Sequence, residues 1–177
     1  MDNLRNQTKI KKIVLISILV SLSVILSIFD GYISRIAFPF VPLAKIGLAN
    51  IVILVGVYHF DYKETLVMVV LKSLLANLII GGPISFLISI VASLVSYLGM
   101  ILARSLLKER VSAISVSVIG GFLHIVSQLA VVSLIYRIGE PVIYYGSILI
   151  ALSLVTSIIV GFIGIKLDAF IKQIENS

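Results

Sequence analysis

The chain has 177 residues, of which 60% are hydrophobic and 12% charged, and its mean hydropathy is +1.21. A soluble domain of this length must keep its surface wet, so the composition excludes one and points to apolar helices in lipid. Cysteine is absent, which rules out disulfides, thiolate metal sites and iron–sulfur clusters.

The apolar blocks predict an all-α, polytopic membrane protein, a single domain over residues 1–177 with six transmembrane helices. The spans fall at about 13–29, 46–60, 65–80, 84–103, 113–136 and 142–165. The net charge of +6 would suit nucleic acid if it lay on one face, but its placement is topogenic. Arg5, Lys9, Lys11 and Lys12 precede span one, and Lys63 separates spans two and three. Arg104, Lys108 and Arg110 follow span four, and Lys166 and Lys172 follow span six. Cytoplasmic loops carry such an excess of Lys and Arg, so both termini are expected in the cytoplasm. Span one exceeds a signal-peptide core and lacks a clear small-x-small cleavage site, and so reads as a retained anchor.

After span one, segment 30–45 holds two prolines, two cations and three aromatics. It is too broken for regular helix and too apolar for a free loop, and is expected to lie against the outer mouth of the bundle. Spans two and three are short: about 15 residues give roughly 22 Å at 1.5 Å per residue. A bilayer core needs about 30 Å. Either flanking residues lengthen them, or protein rather than lipid surrounds them. Pro83 and Pro141 suit first-turn helix positions. The outward N-termini of the even spans, with Arg35, Lys45, Asn50 and Asn77 nearby, suit an entering anion or ordinary headgroup contact. Tyr58, Tyr62, Tyr136, Tyr144 and Tyr145, with Phe38 and Phe40, fall near span ends as an interfacial belt.

Small residues at four-residue spacing allow helices to approach closely in lipid. Ser85, Ser89, Ser93 and Ser96 in span four, and Ser153, Ser157 and Gly161 in span six, suit packing within the bundle. Span one has two such faces, Ser17/Ser21 and Ser23/Ser27. Two small faces are more than an edge helix requires, so span one either packs through both or docks a second membrane subunit through one.

Two ionisable residues fall inside spans. Lys72 sits mid-span, where a lysine costs roughly 2.5–3.5 kcal/mol to insert. It is expected to face inward, as counter-ion to a solute or partner to an acid such as Asp30, with Asn77 contributing an amide. Gly120, His124 and Gln128 share one helical face. His124 either contacts a ligand or hydrogen-bonds a neighbouring helix, and one histidine without a carboxylate makes no metal site.

Lys45-Ile-Gly-Leu-Ala-Asn50, Ser85-Phe-Leu-Ile-Ser89 through Met100, and Ser117-x-x-Gly-Gly-x-x-His124-x-x-x-Gln128 resemble the bacterial Gx transporter family, also called heptaprenyl diphosphate synthase component I. The resemblance runs from span one to Gly164. Departures are Leu43-Ala44 for a proline-glycine pair, Lys72 where arginine is commoner, and Gly146 for a proline. The family is similar to the substrate-binding S components of energy-coupling-factor transporters. That likeness implies capture of a vitamin or precursor from outside. It also implies docking through Ser17 and Ser21 on a transmembrane coupling protein driven by two ATPase subunits.

The expected function is therefore a non-enzymatic, substrate-binding membrane component of the bacterial cytoplasmic membrane, in contact with lipid and without a cofactor or nucleic-acid partner. Lys45, Asn50, Lys72, Asn77, His124 and Gln128 are the candidate solute contacts. The chain has no Walker motif and cannot hydrolyse ATP itself. The alternative is an accessory subunit of a heptaprenyl diphosphate synthase in isoprenoid quinone synthesis. A catalytic subunit is disfavoured, since the four aspartates, Asp2, Asp30, Asp61 and Asp168, are scattered and magnesium needs them clustered. A third reading is an assembly protein with no solute.

Overall fold

A computed structural model describes residues 2–37, 45–137 and 140–175. Its elements are α1 (Asp2–Ala37), α2 (Asn50–His59), α3 (Tyr62–Ile80), α4 (Pro83–Leu107), a 3-10 turn (Lys108–Arg110), α5 (Ala113–Tyr136) and α6 (Glu140–Glu175). Four stretches are long and apolar enough to cross a membrane: Lys9–Ile36, Pro83–Leu107, Ala113–Tyr136 and Gly146–Glu175. The architecture is all-helical among the described residues.

The five long helices follow one another in space as α1, α3, α4, α5 and α6, and α2 lies against every one of them. Residues Asn50 to Val57 of α2 are all buried. At 10 residues the helix is ~15 Å long, half a bilayer core, and protein surrounds it. α2 is enclosed by protein, whereas α3 is longer than its apolar run because it takes in Tyr62, Lys63 and Glu64. An Asp61–Glu64 capping box starts α3, satisfying N–H groups that a helix start leaves open. Pro83 opens α4 directly after Gly82, whose φ of 85° suits glycine.

Burial runs opposite to a soluble protein. Large side chains such as Ile18, Phe29, Leu78, Leu98, Leu134 and Phe162 are exposed, whereas Asp30, Lys72, His124, Gln128 and a series of serines are buried. Apolar surface facing outward and polar groups facing one another is the arrangement lipid demands. The serine stripes of α4 and α6 are among the buried groups. Ser117 Oγ donates to the Ser157 carbonyl at 2.7 Å and Ser153 Oγ to that of Gly121 at 3.2 Å, so small residues join α5 to α6.

Two expected boundaries need correction. Regular helix was placed to end at residue 29, but α1 continues through Asp30 to Ala37. Span two was placed from residue 46, but α2 begins at Asn50. The Asp30 carboxylate points inward and takes the N–H groups of residues 46–48, which holds those residues out of α2. The remainder of the mouth segment, 38–44 with Phe38, Phe40, Leu43 and Ala44, lies outside the described residues.

One end of the bundle is held by ion pairs. Lys12 meets Glu64 at 2.8 Å. The His59 ring lies between Asp168 (3.2 Å) and Glu175 (3.1 Å). Arg104 donates to the Val57 carbonyl and covers the Tyr58 ring. These contacts gather the start of α1, the α2–α3 turn and the ends of α4 and α6, carrying the basic residues with them.

Candidate functional site

The polar cluster lies away from that basic end, where the connection into α2 meets α1, α3 and α5. Asp30 is its anchor. Its Oδ1 accepts from the Ile46 N–H at 2.7 Å, and its Oδ2 from Gly47 at 2.6 Å and Leu48 at 3.0 Å. A buried carboxylate is tolerated only when hydrogen-bonded in this way. Gly47 turns the chain with φ of 100°, a conformation open to glycine. A Cβ there would stand 3.1 Å from Asn50 Nδ2 and 3.8 Å from His124 Cδ2, so the turn brings α2 and α5 together.

Around this loop the structure places five of the six candidate contacts. The Lys45 N–H donates to Gln128 Oε1 at 2.8 Å, and its ammonium reaches Ser27 Oγ at 3.4 Å. Lys72 donates to Asn50 Oδ1 at 3.1 Å and is 3% exposed, so its ammonium stays inside the bundle rather than reaching toward headgroups. No ion pair joins Lys72 to Asp30 among the described residues. His124 lies against the Ala92 backbone. Gly120, on the same face, is buried against Met100.

An N–H or ammonium can only donate, so the amide oxygens of Asn50 and Gln128 must face Lys72 and Lys45. Their NH₂ groups then point the other way. Asn50 Nδ2, Gln128 Nε2 and His124 Nδ1 are all buried without a partner among the described residues. Each such buried group left unmet costs about 1–3 kcal/mol, and these three belong to residues that border the Gly47 turn.

The sixth candidate stands apart. Asn77 donates to the Ser73 carbonyl and accepts from Ser85 Oγ, both at 2.6 Å, tying α3 to α4. Ser17 and Ser21 are exposed on α1, each with its hydroxyl bonded to its own helix. Ser23 and Ser27 face the interior, so the two small faces of α1 have separate surroundings. Arg35 is exposed beside the Tyr32 ring. Three clefts bounded by described residues lie elsewhere. One, of about 390 Å³, is at Tyr97 and Arg104, one of about 510 Å³ is beside Gly82, and one of about 200 Å³ is between Leu54 and Gly164.

Sequence reasoning offered Asp30 only as an ion partner for Lys72 and missed its role as organiser of the loop. The available signal was a carboxylate ending an apolar run, followed by a glycine between two aliphatic residues in the next connection.

Residues 13–167 match the family described as heptaprenyl diphosphate synthase component I. The chain belongs to that family. No curated protein and no solved structure matched it. The matched span takes in Asp30 and all six candidate contacts, so the cluster lies inside the family's shared region. The family description suggests a partner in a synthase complex, and the apolar helices suggest a membrane protein in contact with lipid.

Proposed function

We propose that this protein is the substrate-binding membrane component of an importer of the energy-coupling-factor type. It captures a small anionic solute from outside at the cluster of Lys45, Asn50, Lys72, His124 and Gln128, with Asn77 supporting the helix pair beside it. The observation that carries the reading is the set of buried, unpartnered donors beside two lysines. In this reading six helices cross the cytoplasmic membrane with both termini inside. α2 completes its crossing within protein, and the exposed Ser17/Ser21 face of α1 receives a transmembrane coupling protein that two ATPase subunits drive. The chain catalyses no reaction.

The family description favours a second reading, an accessory membrane subunit that presents a lipidic substrate to a prenyl diphosphate synthase. Affinity purification from native membranes in mild detergent separates the two. The importer reading expects a polytopic coupling protein and ATPases to co-purify, and Ser17→Leu/Ser21→Leu to remove them. Recovery of a soluble prenyltransferase in their place would overturn it.

A further inference from the structure

The geometry points to a singly charged organic acid as the solute: one carboxylate carried on a body with neutral hydrogen-bond acceptors, and not a diphosphate. The inference rests on the solute-binding reading above and narrows it.

The hydrogen-bonding capacity of the cluster limits what it can hold. Both Asp30 oxygens are taken by backbone N–H groups. Asn50 Oδ1 is taken by Lys72 and Gln128 Oε1 by the Lys45 N–H. Each of these acceptor oxygens therefore already holds at least one donor. Donors remain: the two amide NH₂ groups, and the N–H bonds of Lys72 beyond the one given to Asn50. His124 Nδ1, also unpartnered, is an acceptor in the neutral ring, because the other ring nitrogen donates to the Ala92 backbone. A solute that completes the donor set must bring acceptors.

Charge limits it further. With both lysines protonated, Lys45 and Lys72 against Asp30 leave one net positive charge in a buried setting. One carboxylate neutralises it. A diphosphate would replace a buried cationic excess with a buried anionic one, which a low-dielectric interior penalises heavily. Magnesium, the usual remedy, wants carboxylate oxygens. Asp30 already accepts three backbone N–H groups, and no group of three metal-ligating side chains exists among the described residues. The amide NH₂ groups of Asn50 and Gln128 then suit carbonyl or hydroxyl oxygens on the acid's neutral part.

The test uses the full chain purified from its native membrane. Solutes released by heat are treated with diazomethane, which adds one methylene per carboxyl group, and compared by mass spectrometry with an untreated portion. The proposal expects one released compound carrying a single carboxyl and no phosphorus, at least tenfold depleted from Lys72→Met and from Lys45→Gln preparations of equal yield. A phosphorylated or multiply esterified compound depleted in the same variants would overturn this inference and leave the solute-binding reading standing. A wild-type preparation that releases nothing more than the variants do would overturn both.

Discussion

Lys72 carries the argument at the scale of single residues. Its charge is held in an apolar region by Asn50 alone among the described contacts, which is poor compensation for a buried ammonium. Replacing it with methionine removes the burial cost and keeps the stem's volume. Lys72→Met is predicted to insert and express at least as well as wild type, while solute retention falls at least tenfold. Fluorescence-detected gel filtration beside a retention assay checks both halves. Asp30 behaves in the opposite way. Asp30→Ala strands three N–H groups at about 1–3 kcal/mol each, so a loss of ~3 kcal/mol or more is expected. Thermal denaturation in detergent should show a marked fall, with Asp30→Asn intermediate because its carbonyl still accepts. Five of the six contacts chosen from sequence converge, because polar groups in apolar spans have few places to go. Asn77 bonds Ser73 and Ser85 instead, because helical spacing alone does not say which neighbour an amide will meet. Asp30 was undervalued because its partners are backbone N–H groups, which leave no mark in a sequence.

At the scale of elements, the apolar blocks marked each described α-helix but not its ends: α1 runs on to Ala37, α2 starts at Asn50 and α6 continues to Glu175. The serine and glycine stripes were legible because close approach in lipid requires small residues. They differ in tolerance, however. A Cβ on Gly161 would lie 2.8 Å from the Ile114 Cα, a backbone atom that cannot swing aside, whereas one on Gly146 would meet only the Leu129 side chain at 3.2 Å. Gly161→Ala is predicted to push α5 from α6 and cost ~1–3 kcal/mol, while Gly146→Ala stays within about 0.5 kcal/mol. Melting temperatures of the two variants, measured side by side, check the contrast. α2 shows what hydropathy alone does not tell: its apolar residues are buried in protein rather than facing lipid, which suits a helix of only 10 residues.

For the whole molecule, the inverted burial pattern and the gathering of basic residues at one end make a single prediction about orientation. The chain has no cysteine, so single introduced cysteines report without background. Lys108→Cys is expected to label only from the cytoplasmic side and Gly82→Cys only from outside, while Leu54→Cys, in the enclosed α2, stays unreactive from both. Labelling of positions 82 and 108 from the same side would break the six-crossing topology. The fold class was readable at this scale because lipid imposes it on composition. The solute was not, because it depends on which donors remain unpaired once every contact has formed.

Native mass spectrometry of the intact protein, released from mild detergent as wild type beside Lys72→Met, probes the buried donor cluster most directly. Wild type should carry the added mass of one small organic acid that the variant lacks. Identical spectra from the two proteins, with or without an adduct, would contradict a solute held at Lys72.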